Sequence, residues 1–151
     1  ALYAMVLADQ AAPCVDISRV IRMLLIHDLV EIDVGDVPIH SANGQAHASA
    51  QTQASEQRAA DRIFGLLPPD QATAFRALWD EFEAAETPDA LFAKSLDRVQ
   101  PVMANLQSGG GTWITYDVTL PQLESRVGSK IAKGAPRLWD WVRAKVAPYF
   151  A

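Results

Sequence analysis

The stretch His27-Asp-Leu-Val-Glu-Ile-Asp-Val-Gly-Asp36 places five ionisable groups in ten positions, directly after an apolar run. Upstream of it, apolar residues recur at three-and-four spacing, as at Val20, Ile21 and Leu24, which predicts an amphipathic helix over residues 16–32. The ionisable groups would then lie at the carboxyl end of that helix.

The same helical spacing extends along nearly the whole chain. No segment of four or more residues alternates as a half-buried strand would. Further helices are predicted over residues 1–11, from about 51 to 66, from 69 past 82, from 88 towards the glycines at 109–111, over 119–130 and over 136–147. We therefore expect an all-α protein, a compact bundle of six or seven helices around one core, forming a single domain over residues 1–151.

Composition excludes several classes of protein. The chain has 151 residues, a formal net charge of −5 and one cysteine, Cys14, so no disulfide framework is possible and a reducing, cytoplasmic location is expected. Without a cluster of Lys and Arg in the sequence, a nucleic-acid polymer is an unfavourable partner. The longest apolar run, Ala1 to Ala8, is too short to span a membrane.

The acidic excess is concentrated in one region. Between Arg22 and Arg58 there is no Lys or Arg, yet the interval holds all three histidines of the chain, at positions 27, 40 and 47. A solvated acidic loop would explain this pattern. Under either interpretation, His40 and His47 are expected to be solvent-facing loop residues.

A bound divalent cation is the alternative explanation for the start of that region. Apolar neighbours such as Met23, Ile26 and Leu29 indicate that His27 and Asp28 face into the protein, where an unpartnered charge is costly. Carboxylates at the carboxyl end of a helix also oppose its dipole. A cation would relieve both problems, and a mixed imidazole and carboxylate set suits Mn, Co, Ni, Fe or Zn better than Ca.

Two adjacent helical residues cannot surround a metal, so other elements must contribute. Glu31 follows His27 by four residues, which places it one turn along the same face, within reach of a metal-bound water. Asp97 stands inside an apolar helix, far from any turn, and Lys94 precedes it by three residues. A simple helical salt bridge would also explain that second pair.

These residues resemble the HD-domain metal-dependent phosphohydrolase superfamily. The doublet His27-Asp28 with a distant aspartate, Asp97, matches its signature. The segments His27-Asp-Leu-Val-Glu31 and Lys94-Ser-Leu-Asp97, with Gly35-Asp36 between them, resemble more narrowly the branch of 5′-deoxynucleotidases. The similarity extends from Ala1 to about Trp113.

The resemblance implies a role for each matching position. His27, Asp28 and Asp97 would bind one divalent metal ion (Mn, Co, Ni, Fe, Zn or Mg), between helices. Glu31 would be the general base or would orient the attacking water, Asp36 would lie at the reacting end of the site, and Lys94 would contact the substrate phosphate. The family's first histidine has no counterpart in residues 1–20, so it is expected upstream of Ala1; a domain that has lost this ligand is the alternative.

The implied activity is hydrolysis of the 5′-phosphate of small nucleotides, with deoxynucleoside 5′-monophosphates as substrates. Another phosphate ester, a phosphodiester, or a non-catalytic helical domain for sensing or assembly remain open. A homodimer is expected from the resemblance and from Trp139 and Trp141, which lie two apart and cannot share one helix face.

Overall fold

The computed structural model describes residues 1–41 and 49–151, and in these ranges it contains helices and no strand. The predicted all-α class is confirmed. The α-helices are α1 Leu2–Val6, α2 Ile17–Ile26, α3 Glu31–Val34, α4 Ala50–Phe64, α5 Pro69–Ala84, α6 Pro88–Gln107, α7 Thr112–Thr115, α8 Leu120–Leu123, α9 Ser129–Gly134 and α10 Pro136–Val146. They are extended by 3-10 turns at Ala8–Gln10, His27–Val30 and Ala147–Phe150 and by a π-helical turn at Glu124–Gly128. His47 lies outside the described residues.

Helix α6 is the central element, packed against α1, α2, α5 and α9. The helix begins at a capping motif, in which the Thr87 hydroxyl accepts from the backbone N–H of Ala90 at 3.2 Å and Pro88 occupies the first helical position. Phe92 and Val99 on its apolar stripe are fully buried. Each such side chain contributes about 1.5–3 kcal/mol through burial, and this packing fixes the directions in which the polar residues of α6 point.

Pro101 lies inside α6, and the helix continues through it to Gln107. Proline has no backbone N–H, so the carbonyl of Asp97, four residues earlier, loses its ordinary helical hydrogen bond. The backbone hydrogen bonding of α6 is therefore interrupted at Asp97, which is one of the predicted site residues.

The prediction of one helix over residues 16–32 is wrong in its second half. Helix α2 ends at Ile26, a 3-10 turn covers His27–Val30, and α3 begins at Glu31. Side chains three residues apart eclipse one another in a 3-10 turn, which aligns Asp28 with Glu31. No proline or glycine marks this break in the sequence, so periodicity alone did not show it.

The two tryptophans of α10 have different surroundings. Trp139 packs against the core, whereas Trp141 is 51% exposed, so the expectation that they do not share one helix face is confirmed. Trp113 is buried against Tyr149 and Phe150, which is a packing role. In the described part of the chain, no helix combines the length and the apolar character that crossing a membrane requires.

Candidate functional site

One cleft of about 380 Å³ brings together every site residue that the sequence predicts. It opens between the turn after α2, the segment after α3, and helices α4, α5 and α6. The six predicted residues that line it are His27, Asp28, Glu31, Asp36, Lys94 and Asp97. Residues separated by up to 70 positions in the sequence therefore share one surface.

The imidazole of His27 is held in a defined orientation. Its Nδ1 donates to the carbonyl oxygen of Leu24 at 3.0 Å, so Nε2 is the ring nitrogen that points into the cleft. That nitrogen lies 2.9 Å from Oδ1 of Asp28 and 3.4 Å from Oδ1 of Asp97. The edge of the ring packs against Phe82, with ring centroids 4.9 Å apart, so hydrogen bonding and packing together aim Nε2 at the two carboxylates.

The expectation that both members of the doublet face inward is only half right. The side chain of His27 is 15% exposed, but that of Asp28 is 62% exposed. The 3-10 turn lets Asp28 reach Nε2 from the solvent side, while Asp97 approaches from α6. The histidine is therefore the buried member, and the two carboxylates near its Nε2 come from different elements of the fold.

Burial and the neighbouring charged groups have opposing effects on the pKa values of His27 and Asp97. Burial lowers the pKa of His27, but the hydrogen bonds and charges of Asp28 and Asp97 outweigh it and raise the pKa to about 9. Burial raises the pKa of Asp97, and the hydrogen bond from His27 with the charges of Arg98 and Lys94 brings it below its usual value. The pocket consequently favours positive charge between the two carboxylates.

The chemistry of these donors fits a divalent cation. Metal–nitrogen and metal–oxygen bonds of about 2.0–2.2 Å place two ligands of one ion roughly 2.9–3.4 Å apart, and the separations of Nε2 from the two carboxylate oxygens are 2.9 and 3.4 Å. The Nδ1 bond to a backbone carbonyl is the usual outer support of a metal-binding histidine. Within residues 1–41 and 49–151, however, no three His, Cys, Asp or Glu side chains stand together as a ready-made cluster.

Two further carboxylates face the same space. Burial, together with the charges of Asp28 and Asp36, raises the pKa of the half-buried Glu31 to about 7, against a smaller opposing effect of His27. Asp36 is exposed and follows Gly35, whose φ of 75° is a left-handed conformation that favours glycine. The turn at Gly35 brings Asp36 back to the cleft.

Lys94 has a partner that the sequence did not indicate. Its Nζ pairs with Oε1 of Glu83 on α5 at 2.9 Å and lies 3.9 Å from the centroid of the Phe82 ring. The helical salt bridge considered for Lys94 and Asp97 is replaced by this interhelical pair. The ammonium group is thus held at the edge of the cleft, near the metal-ligand candidates but not on them.

The prediction that His40 faces solvent is wrong. It is 6% exposed rather than solvent-facing, and it lines the cleft beside Tyr116, with ring centroids 6.5 Å apart. Burial and the nearby charge of Arg126 lower its pKa. Sequence reasoning missed this residue because its burial depends on Tyr116 and Arg126, which lie far away along the chain.

Comparisons with known proteins identify the family of the chain. The family profile described as "HD domain" matches residues 1–139. The chain belongs to the HD-domain family. The recognition made from His27-Asp28 and Asp97 is therefore confirmed at the level of the family.

Two similar curated proteins are both named 5′-deoxynucleotidase HDDC2. The chain is 30% identical to 5′-deoxynucleotidase HDDC2 of Homo sapiens over 103 residues, which cover 68% of this chain and 47% of the human protein. It is 32% identical to the protein of the same name from Xenopus laevis over 90 residues, 60% of this chain and 43% of the relative. The chain thus spans less than half the length of these curated relatives.

One solved crystal structure is similar over nearly the whole chain. The protein from Magnetospirillum magnetotacticum MS-1, described as a "predicted metal-dependent phosphohydrolase", superposes with a TM-score of 0.89 at 46% identity, covering 98% of this chain and 71% of its own. The family resemblance and this description together imply a divalent metal for proteins of this kind.

Proposed function

We propose that the protein is a metal-dependent phosphomonoesterase that removes the 5′-phosphate from deoxynucleoside monophosphates. One observation carries this proposal: Nε2 of His27 faces the carboxylates of Asp28 and Asp97 in a cleft that also holds Lys94. A cation-attracting group and a phosphate-attracting group therefore share one small volume.

His27, Asp28 and Asp97 would hold the divalent cation. When bound, it polarises a phosphoryl oxygen and lowers the pKa of water towards neutrality. The protein's own contribution is orientation, because the Leu24 carbonyl and the Phe82 ring hold the imidazole while α6 holds Asp97. Lys94 supplies the positive charge that a phosphate monoester needs, at a position set by Glu83.

Glu31 is the proposed general base or water-orienting group. Its carboxylate accepts the proton of the attacking water, and a pKa of about 7 is suited to that task near neutral pH. Asp36 lies in the same cleft and would accept a hydrogen bond from a sugar hydroxyl or from that water. These two assignments rest on position and charge together with the family resemblance.

The identity of the substrate is a more specific part of the proposal. Relatives named 5′-deoxynucleotidase, at 30–32% identity over part of the chain, support a nucleoside 5′-monophosphate, and His40 with Tyr116 offers aromatic surface for a base in the cleft. Another phosphate ester or a phosphodiester is the second candidate, and a non-catalytic sensing or assembly domain the third. The choice of metal and a cytoplasmic location stay predictions from the sequence.

The test is phosphate release from a substrate panel. With Mn²⁺ or Co²⁺, the purified protein is expected to hydrolyse deoxynucleoside 5′-monophosphates faster than sugar phosphates or phosphodiesters. Dialysis against a chelator should abolish the activity, and adding back the metal should restore it. Activity that survives complete metal removal would contradict the proposal, whereas preference for a phosphodiester would support the second candidate.

We further propose that the protein forms a homodimer. Large apolar side chains are exposed on and next to α1 and α2, among them Leu2, Val6, Leu25 and Ile32, each at least 64% exposed. Exposed large apolar side chains are candidates for an interface between two copies of the chain. Multi-angle light scattering at micromolar concentration should give twice the chain mass, and the mass of one chain would contradict this expectation.

A further inference from the structure

A second cavity of about 410 Å³ adjoins the cleft. The two share Lys94, Arg98 and Glu83, so they form one continuous depression with two compartments. The second compartment extends away from His27 towards the segment of residues 125–133. The proposed hydrolysis uses none of the residues that only this compartment contains.

The side chains that line this compartment are strongly cationic. Three of the four lysines in the chain contribute to it, together with two arginines. The carboxylates among its lining residues are Glu56 and Glu83. Glu83 is paired with Lys94, and Arg98 is paired with Asp97 of the adjoining cleft. The excess of positive charge therefore lies with Lys130 and Lys133. In a protein whose formal net charge is −5, this local excess of positive charge is the reverse of the overall balance.

The cations that only this compartment contains come from one stretch of backbone. Arg126 lies in the π-helical turn and Lys130 and Lys133 lie on α9, so they follow one another at four and three residues along one side. Like charges at this spacing repel one another and destabilise a helix. Lys130 and Lys133 are exposed and have no ion pair within residues 1–41 and 49–151. An anion would offset this repulsion.

We propose that this compartment is a second phosphate-binding subsite. Lys130 and Lys133 supply charge-assisted hydrogen bonds to phosphate oxygens, and Arg98 and Lys94 connect the subsite to the cleft where the scissile phosphate would bind. The ligand is a phosphoryl group from one of two sources. It is either a second phosphate on the substrate, which rests on the proposed function, or a separate phosphate-bearing molecule.

The first experiment measures binding without catalysis. Pyrophosphate is titrated into the metal-free protein by calorimetry, with the double variant Lys130→Ala/Lys133→Ala and the control Lys145→Ala, which removes the one remaining lysine, on α10 outside both cavities. We expect the double variant to weaken the Kd about tenfold and the control to change it less than twofold. Circular dichroism should show that both variants fold. The proposed subsite would be overturned if the wild type did not bind pyrophosphate. It would also be overturned if the double variant and the control bound pyrophosphate with the same Kd.

The second experiment determines whether the bound phosphoryl group belongs to the substrate or to a separate molecule. If the second phosphate belongs to the substrate, kcat/KM for a deoxynucleoside 3′,5′-bisphosphate should fall about tenfold in the double variant, while kcat/KM for the 5′-monophosphate stays within twofold. If pyrophosphate binding weakens and neither substrate responds, the ligand is a separate molecule. If the wild type hydrolyses neither substrate, the proposed function fails, and the binding experiment still decides whether the subsite exists.

Discussion

Replacing Asp97 with asparagine is expected to lower kcat/KM for phosphate release by about 10³-fold or more. The substitution keeps the size of the side chain and removes the charge that faces Nε2 of His27 at 3.4 Å. Asp97 is the proposed metal ligand that comes from a different helix than the His27-Asp28 doublet. Its loss leaves two adjacent residues, which cannot enclose a cation alone.

Two readouts other than activity follow from the same contact. Metal content after dialysis should fall in Asp97→Asn, because one anionic donor is gone. In the metal-free protein, the pKa of His27, raised to about 9 by Asp28 and Asp97, should move down, and its ring signals in NMR would report this. A raised histidine pKa stabilises the fold fully below the unfolded value of 6.5 and loses that contribution as the pH rises towards 9. The variant should therefore show a flatter dependence of stability over this range.

Asp33→Asn is the matched control for this experiment. Asp33 lies six residues from His27 but pairs with Arg62 and does not line the cleft. The Asp33–Arg62 ion pair lies at the surface and contributes little to stability. Activity and metal content should therefore stay within twofold of the wild type. Full activity in Asp97→Asn, or equal losses in both variants, would contradict the assignment of Asp97 as a ligand.

The sequence predicted which residues meet in the cleft better than it predicted the local backbone there. His27, Asp28 and Asp97 could be selected because charged residues within apolar helices are costly without a partner, and the family resemblance joined them across 69 positions. The 3-10 turn at His27 could not be predicted, because no breaker residue marks it. That turn nevertheless sets the angle at which Asp28 meets the imidazole.

Residues whose roles depend on distant contacts were the ones that the sequence misjudged or left out. His40 is buried by the packing of Tyr116 and Arg126 around it, and Lys94 pairs with Glu83 on another helix. The cationic compartment has the same origin, since Lys94 and Arg98 come from α6 and the other cations from residues 126–133. A sequence without a basic cluster can thus form a basic cavity when helices from different parts of the chain meet.

Replacing Glu31 with glutamine is expected to lower kcat about 10²- to 10⁴-fold, the range for removal of a general base. The wild-type kcat should fall on the acid side with a midpoint at or below the value of about 7 that burial and Asp28 give the pKa of Glu31 in the metal-free protein, because a bound cation would lower it further. The rate declines there because the base becomes protonated. The variant should lose this limb of the pH profile, while its metal content changes little.

Glu56 provides the comparison that tests the assignment. It lines the same cleft from α4, and burial and the charge of Glu83 raise its pKa as well, but its position is not next to the His27-Asp28 doublet. If Glu56→Gln removed the acid limb and Glu31→Gln did not, the general base would be Glu56. Glu86→Gln, an exposed position outside the cleft, should leave kcat within twofold.

Stability distinguishes a catalytic role of Glu31 from a structural one. Its folded-state pKa of about 7 lies above the ordinary value of 4.5, so ionisation opposes folding progressively as the pH rises from 4.5 to 7. Glutamine cannot ionise, and the metal-free variant should therefore be more resistant to denaturant than the wild type at pH 8, with little difference at pH 4. A residue that held the fold together would lose stability together with activity. Lower activity with higher stability is the combination expected of a carboxylate kept in an unfavourable place for its chemistry.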